Sequence, residues 1–303
     1  MTLPDFAIIG AQKSGSTALM RHLGDHPQVF LPDHESRYFR DPWFSFQTPA
    51  DLEADVATTK PGVLRRGIKC PDLLAEEPCA GRMHDLLGDI PLIAVLREPV
   101  SRAISSYYRG MQWGWVPRAD PAVGLMRILD GSYAQSAPRA WETLEFGLYG
   151  KHLSRYATLF DPALLYVTTD EKLRRDTEAT LRGVFAHLDV DTDVPLAKLE
   201  RSVNTGVYSM PRLNVLSLRH KHILREFPGH EGRYLQQPSG ARGWVVDRSV
   251  AAVDRLVLSR VFSNDKPEVP AYVTHALADF YRDDITLLEQ VTGQDFSDWK
   301  NRW

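Results

Sequence analysis

Between Gly10 and Ala18 the chain reads Gly-Ala-Gln-Lys-Ser-Gly-Ser-Thr-Ala, a small polar loop set between the apolar run Phe6-Ala-Ile-Ile and an apolar helical pattern. Strand, loop and helix in that order leave backbone N–H groups around Ser14 to Ala18 without intrahelical acceptors, facing whatever anion occupies the loop. Lys13 adds a full positive charge beside them. The residue types therefore predict a phosphate or phosphate-like group held by Lys13, Ser14, Gly15, Ser16, Thr17 and Ala18. Gly10 and Gly15 keep the G-x-x-x-x-G spacing of a Walker A loop, but Ser16 stands where an NTPase has its lysine. A magnesium nucleoside triphosphate held by the usual Lys-Ser/Thr pair is thus disfavoured, and a smaller anion with a nearby leaving group fits better.

Further chemistry-bearing residues follow the other apolar runs. Val29-Phe-Leu reads as a short strand leading into Pro32-Asp-His-Glu-Ser-Arg-Tyr-Phe39, a charged cluster where α/β sheets place catalytic groups, with Glu35 foremost. Gly67-Ile-Lys-Cys-Pro71 reads as a strand end whose Lys69 is either a second cation for the site or an exposed lysine. Ile90 to Leu96 is almost continuously apolar, the pattern of a central parallel strand covered on both faces. Arg97 stands at its end, Pro99 suits a helix start, and Ser105 lies roughly two turns along that helix. Trp113 and Trp115 either stack on a ring of a substrate or fill a lid core.

The elements that must position these residues alternate strand and helix. Helices are expected over Ala18–Leu23, Met83–Leu87, Pro99 to about Met111, Leu125–Leu129, Glu142–Phe160, Asp176–Leu188, Met210–Arg225 and Tyr272–Val291, with further strand over Ala163–Thr168. A short helix is expected at Leu52–Val56, and loops at Asn204–Tyr208, Gly229–Gly243 and Ser263–Lys266. The fold class is α/β, a P-loop-like three-layer fold with a central, mostly parallel sheet flanked by helices, in a single domain over residues 1–303. With 36 Lys and Arg against 39 Asp and Glu, the net charge of −3 gives no global attraction to nucleic acid, so local basic pockets must bind the anion. A mean hydropathy of −0.30 and the lack of a long apolar run predict no transmembrane segment, and an N-terminus without a leader predicts a cytoplasmic protein. Cys70 and Cys79, the two cysteines, are expected to be reduced and structural.

Gly10-Ala-Gln-Lys-Ser-Gly-Ser-Thr17 resembles the 5′-phosphosulfate loop of sulfotransferases that use 3′-phosphoadenosine 5′-phosphosulfate (PAPS), in the version of the heparan-sulfate and carbohydrate group and its bacterial relatives. The segment from His34 to Phe39 is similar to that group's Lys-Glu-Pro-His-Phe-Phe motif, in which the glutamate is the general base. Glu35 and the aromatic pair Tyr38-Phe39 match in kind, while His34 and Ser36 replace lysine and proline, so either Glu35 or His34 removes the acceptor proton. Leu96-Arg-Glu-Pro-Val-Ser-Arg-Ala-Ile-Ser-Ser-Tyr-Tyr108 looks like the 3′-phosphate element. There Arg97 would supply a planar fork and Ser105 a hydroxyl, with Arg102 packing or pairing nearby.

The family's late Lys-Gly-Arg loop has no match, and only Lys266 stands in its place. The resemblance implies transfer of a sulfuryl group from PAPS, released as PAP, to a hydroxyl or amine of a small-molecule, glycolipid or carbohydrate acceptor. Lys13 would stabilise the developing charge, and no metal would be required. Arg201, Arg212, Arg233 and Arg242 either line an acceptor cleft or are solvated. The alternatives are a P-loop kinase acting on ATP and a non-catalytic nucleotide sensor; the oligomeric state is not legible.

Overall fold

The computed structural model describes residues 2–196, 206–227, 230–236 and 240–303. In chain order its elements are β1 (Phe6–Gly10), α1 (Ser16–Gly24), β2 (Val29–Phe30), α2 (Pro49–Asp55), β3 (Arg65–Lys69), α3 (Glu77–Leu87), β4 (Leu92–Leu96) and α4 (Pro99–Trp113). There follow α5 (Pro121–Leu129), α6 (Glu142–Glu145), α7 (Tyr149–Leu159), β5 (Leu165–Thr169), α8 (Asp170–Arg175), α9 (Thr177–His187), α10 (Met210–Leu216) and α11 (His220–Ile223). The last are β6 (Leu224–Phe227), β7 (His230–Gln236), α12 (Gly240–Val253), α13 (Ser259–Val261), α14 (Ala271–Thr292) and α15 (Ser297–Lys300). Two compact units are built from them: Met1–Arg102 with Phe146–Asn204 and Tyr281–Arg302, and Ala103–Glu145 with Thr205–Phe280.

The first unit holds a five-stranded, all-parallel sheet in the order β2-β3-β1-β4-β5. Every residue of β1 and β4 is buried, as strands covered on both faces must be. Alternation sends Phe6 and Ile8 of β1, with Ile93 and Val95 of β4, into one apolar cluster with Leu19 and Leu23 of α1 and Leu181, Val184 and Phe185 of α9. Full burial of each such side chain stabilises the fold by about 1.5–3 kcal/mol. Because the chain leaves β1 for β2 and β3 on one side and β4 and β5 on the other, β1 is the topological switch point. Its C-terminal end is where an open α/β sheet binds its ligand.

Local signals set the helix ends. Thr48 and Asp51 close a capping box over α2, so this helix starts earlier than its apolar residues alone suggest. The Glu98 carboxylate accepts from Val100 and Ser101 N–H (2.7 and 2.8 Å) and caps α4 ahead of Pro99. Asp284 of α14 caps α7 by accepting from Gly150 and Lys151 N–H (2.9 and 2.8 Å). A Cβ on Gly150 would lie 2.4 Å from the Asp284 carbonyl, so this packing requires glycine.

Arg102 is fully buried, its guanidinium against the Tyr281 hydroxyl, in keeping with a packing role. Both cysteines are free and buried, and burial pushes the Cys70 thiol up to about 12, so it stays protonated.

The second unit departs most from expectation. The helix expected over Met210–Arg225 is α10, a 3₁₀ turn at Ser217–Arg219 and α11, after which Leu224–Phe227 leaves as a strand. The expected loop Gly229–Gly243 instead carries β7, antiparallel to β6, and the start of α12. Leu-Arg-Glu-Phe has no β-branched residue to announce a strand, and its partner decides its conformation. Of the loop expected at Asn204–Tyr208, Asn204 and Thr205 lie outside the described residues, as do Arg201 and Gly229 and the side chain of Arg233.

Candidate active site

The loop after β1 adopts left-handed backbone at two alternate positions, Lys13 (φ 66°) and Gly15 (φ 89°), around the fully buried Ser14. Left-handed lysine is uncommon and clusters at functional sites, and such turns gather N–H groups into anion-binding concavities. No side chain caps α1. Among the described residues the N–H groups of Gly15, Ser16 and Thr17 meet no acceptor, whereas Ala18 N–H bonds the Gly15 carbonyl at 2.9 Å. The Ala18 amide thus has a partner within the loop. A tight i→i+3 closure of the first turn consumes it.

Glycine is required at position 15. A Cβ there would sit 2.8 Å from Asp170 Oδ1, on top of the cost of the positive φ. Gly15→Ala is expected to destabilise the fold by about 1–3 kcal/mol in a urea titration and to weaken anion binding in the same protein, because Asp170 must move or the loop must open.

Three chain segments meet at Lys69. Its pairing with Ile8 places it on the strand beside β1, 1% exposed. Its ammonium donates to Glu35 Oε1 (2.6 Å) and Thr17 Oγ1 (2.9 Å). Thr17 accepts in that bond, which leaves its own hydroxyl proton to donate elsewhere. Glu35 remains 43% exposed, open to a reactant, and Ser36 N–H bonds the Lys69 carbonyl at 3.1 Å, fixing the segment to the end of β3. The exposed-lysine reading of Lys69 is thereby removed.

Neither basic neighbour competes for Glu35. Arg37 lies over the Trp43 ring, and Arg40, buried, binds Asp72 (2.7 Å) and Glu76 (2.6 and 3.0 Å). His34 turns to Asp55 (3.2 Å) and Asp33 (3.6 Å) on the surface.

Arg97 stands at the end of β4, its Nη1 donating to the Lys13 carbonyl at 3.4 Å and its Nε 3.9 Å from Asp170 Oδ2. Asp170, buried, is also bound by Arg174 at 2.8 and 2.9 Å. The Tyr149 hydroxyl donates to the Arg97 carbonyl (3.0 Å) and lies 3.4 Å from Ser14 Oγ. Burial pushes it up to about 12, so it is a donor at neutral pH. Gln12 reaches Asp72 at 3.0 Å, tying the loop to the Arg40 cluster.

The structure thus brings Lys13 to Thr17, Glu35, Lys69 and Arg97 to one end of the parallel sheet. Ser105 is buried farther along α4, in the part belonging to the second unit. Asp170 and Tyr149 were not singled out from sequence. The available signal for Asp170 was its position at the end of a strand, ahead of a helix that Thr169 caps.

In the second unit, the guanidinium groups of Arg109 (4.6 Å) and Arg219 (4.9 Å) both pack on the Trp113 ring. Trp115, with Arg139 4.0 Å over its ring, lines a cavity of about 320 Å³ with Arg118 and His220. Arg212 is bound to Asp254 (2.8 and 2.9 Å), whereas Arg242 is exposed.

An all-parallel sheet with a glycine-bearing loop at its switch point defines an α/β fold of the P-loop-like kind. No protein-family model matches the chain. Sequence comparison aligns it with the mouse heparan sulfate glucosamine 3-O-sulfotransferase 3A1 at 28% identity over 189 residues, 60% of this chain and 44% of the mouse protein. The human heparan sulfate glucosamine 3-O-sulfotransferase 5 aligns at 22% over 222 residues, 71% of this chain and 61% of that one. The chain spans less than half the length of the mouse relative. A sulfotransferase crystal structure from Alicyclobacillus acidocaldarius superposes with a TM-score of 0.65 at 20% identity, covering 99% of this chain and all of the other, and so shares the fold. The chain is thus similar in sequence to sulfotransferases over part of its length and shares the fold of one of them.

Proposed function

We propose that the protein is a sulfotransferase that moves the sulfuryl group of PAPS to a hydroxyl or amine of a small-molecule, glycolipid or carbohydrate acceptor, the two units acting as one domain. The observation that carries this reading is the Lys69 ammonium joining Glu35 to Thr17, because it couples a half-exposed carboxylate to the anion loop. A Walker-type kinase has no use for that link. The residues fit the co-substrate: unpartnered loop amides at Gly15 to Thr17 and the cation of Lys13 suit its 5′ end, and the forked cation of Arg97 with the hydroxyl of Ser105 suits a 3′-phosphate. PAPS supplies an activated sulfuryl group on a phosphate leaving group that departs ionised, so no metal is required of the site.

In this reading Glu35 accepts the acceptor proton as the nucleophile attacks in line, and Lys69 holds that carboxylate in place. Lys13 and the amides of Gly15, Ser16 and Thr17 stabilise charge on the transferring group, a single such donor being worth about 10² to 10³ in rate. His34, turned toward Asp55, is the weaker candidate for the base. Incubation with sulfur-35-labelled PAPS and a panel of hydroxyl and amine acceptors tests the reading. Label is expected in one acceptor class and absent with Lys13→Ala, whereas phosphorylation of the panel from labelled ATP would replace this function with a kinase.

A further inference from the structure

The helical stretch from Gly240 to Val261 in the second unit carries its polarity the wrong way round for a helix on a protein surface. α12 runs through a π-helical turn at Asp254–Leu258 into α13, about 30 Å in all. Its two acids face the protein, Asp247 bound to Arg219 (3.1 Å) and Asp254 to Arg212 (2.8 and 2.9 Å). Its outward side presents Trp244 (53% exposed), Val245, Val253, Leu256, Val257 and Val261 (68% exposed).

All four of the stretch's arginines, Arg242, Arg248, Arg255 and Arg260, are exposed among these apolar side chains, and Arg248 lies over the Trp244 ring at 5.3 Å. The π-helical turn adds a residue to one turn and so rotates Val257 and Val261 toward the side of Val245 and Val253. No described helix of the protein is long and apolar enough to cross a membrane.

We propose that this face docks on an anionic phospholipid surface, lying in the plane of the headgroups. The charge pattern selects this occupant. Four exposed cations on a stretch whose own two acids are both paired inward repel a second copy of the same face and attract a negative one. A bilayer takes both kinds of side chain at once, the apolar groups entering the acyl boundary while the arginines reach the phosphates and tryptophan sits at the interface. Docking would hold the protein at a membrane surface. The inference is independent of the sulfotransferase reading.

The test is flotation of the full chain with vesicles of phosphatidylcholine alone or with 30% phosphatidylglycerol, taken as roughly physiological anionic content. Binding to the anionic vesicles only, weakened by 0.5 M salt, is expected. Arg248→Glu with Arg255→Glu should lower the partition coefficient on the order of 100-fold, and Leu256→Ser with Val257→Ser at least about tenfold, both with unchanged melting temperature. No binding to either vesicle, or binding that neither pair of substitutions weakens, would overturn the proposal. So would a concentration-dependent dimer in sedimentation velocity that Trp244→Ala and Leu256→Ser abolish, since the face would then belong to a second copy.

Discussion

Glu35→Gln is expected to lower turnover by about 10² to 10⁴ while leaving affinity for PAP within about twofold. The amide keeps the shape of the side chain and its oxygen can still accept from Lys69, so the anion loop is undisturbed; only the capacity to take a proton is lost. Steady-state rates beside equilibrium PAP titrations separate the two effects. Full turnover with Glu35→Gln would move proton removal elsewhere, and His34→Gln would then be the variant that fails. A loss of PAP affinity equal to the loss in rate would make Glu35 a residue that shapes the nucleotide site.

The largest effect on stability is expected from Arg40→Met, a loss of about 3–5 kcal/mol in urea unfolding. Arg40 is buried and joins two buried or nearly buried carboxylates, Asp72 and Glu76. Burial opposes its charge, yet the carboxylates of Asp72 and Glu76 hold its pKa well above the ordinary guanidinium value. Removing it strands two negative charges in a medium that solvates them poorly. Because Asp72 also accepts from Gln12, the anion loop should loosen as well, which a weakened PAP affinity in folded Arg40→Met would register. An isosteric triple replacement, Arg40→Met with Asp72→Asn and Glu76→Gln, should recover most of the stability, since no net charge then remains buried.

The parts of this architecture legible in sequence are those written into one short stretch. The apolar runs of β1 and β4, the glycines around Lys13 and the arginine at the end of β4 each state their place in the fold within about ten residues. The expected all-round burial of β4 and the helix after Pro99 are found as read. Lys69 is different: three residues around it look like any strand end, and only the pairing of β3 with β1 buries it and aims it at Glu35. Asp170 and Tyr149 reach the loop from far along the chain, so no local pattern announces them.

The second unit was misread for a related reason. β6 is made by its pairing with β7, not by its composition, and the start of α12 lies in the glycine-bearing stretch Gly229–Gly243, which reads as a loop.

The measurement that tests the central claim most directly is calorimetric titration with PAP and, separately, with ATP and magnesium, of the unaltered protein and of Arg97→Ala. The account predicts binding of PAP that does not depend on magnesium and that weakens by about 10- to 150-fold in Arg97→Ala, the worth of one charge-assisted contact of about 1.5–3 kcal/mol. Binding of magnesium ATP with no measurable affinity for PAP would contradict it and return the loop to phosphoryl transfer.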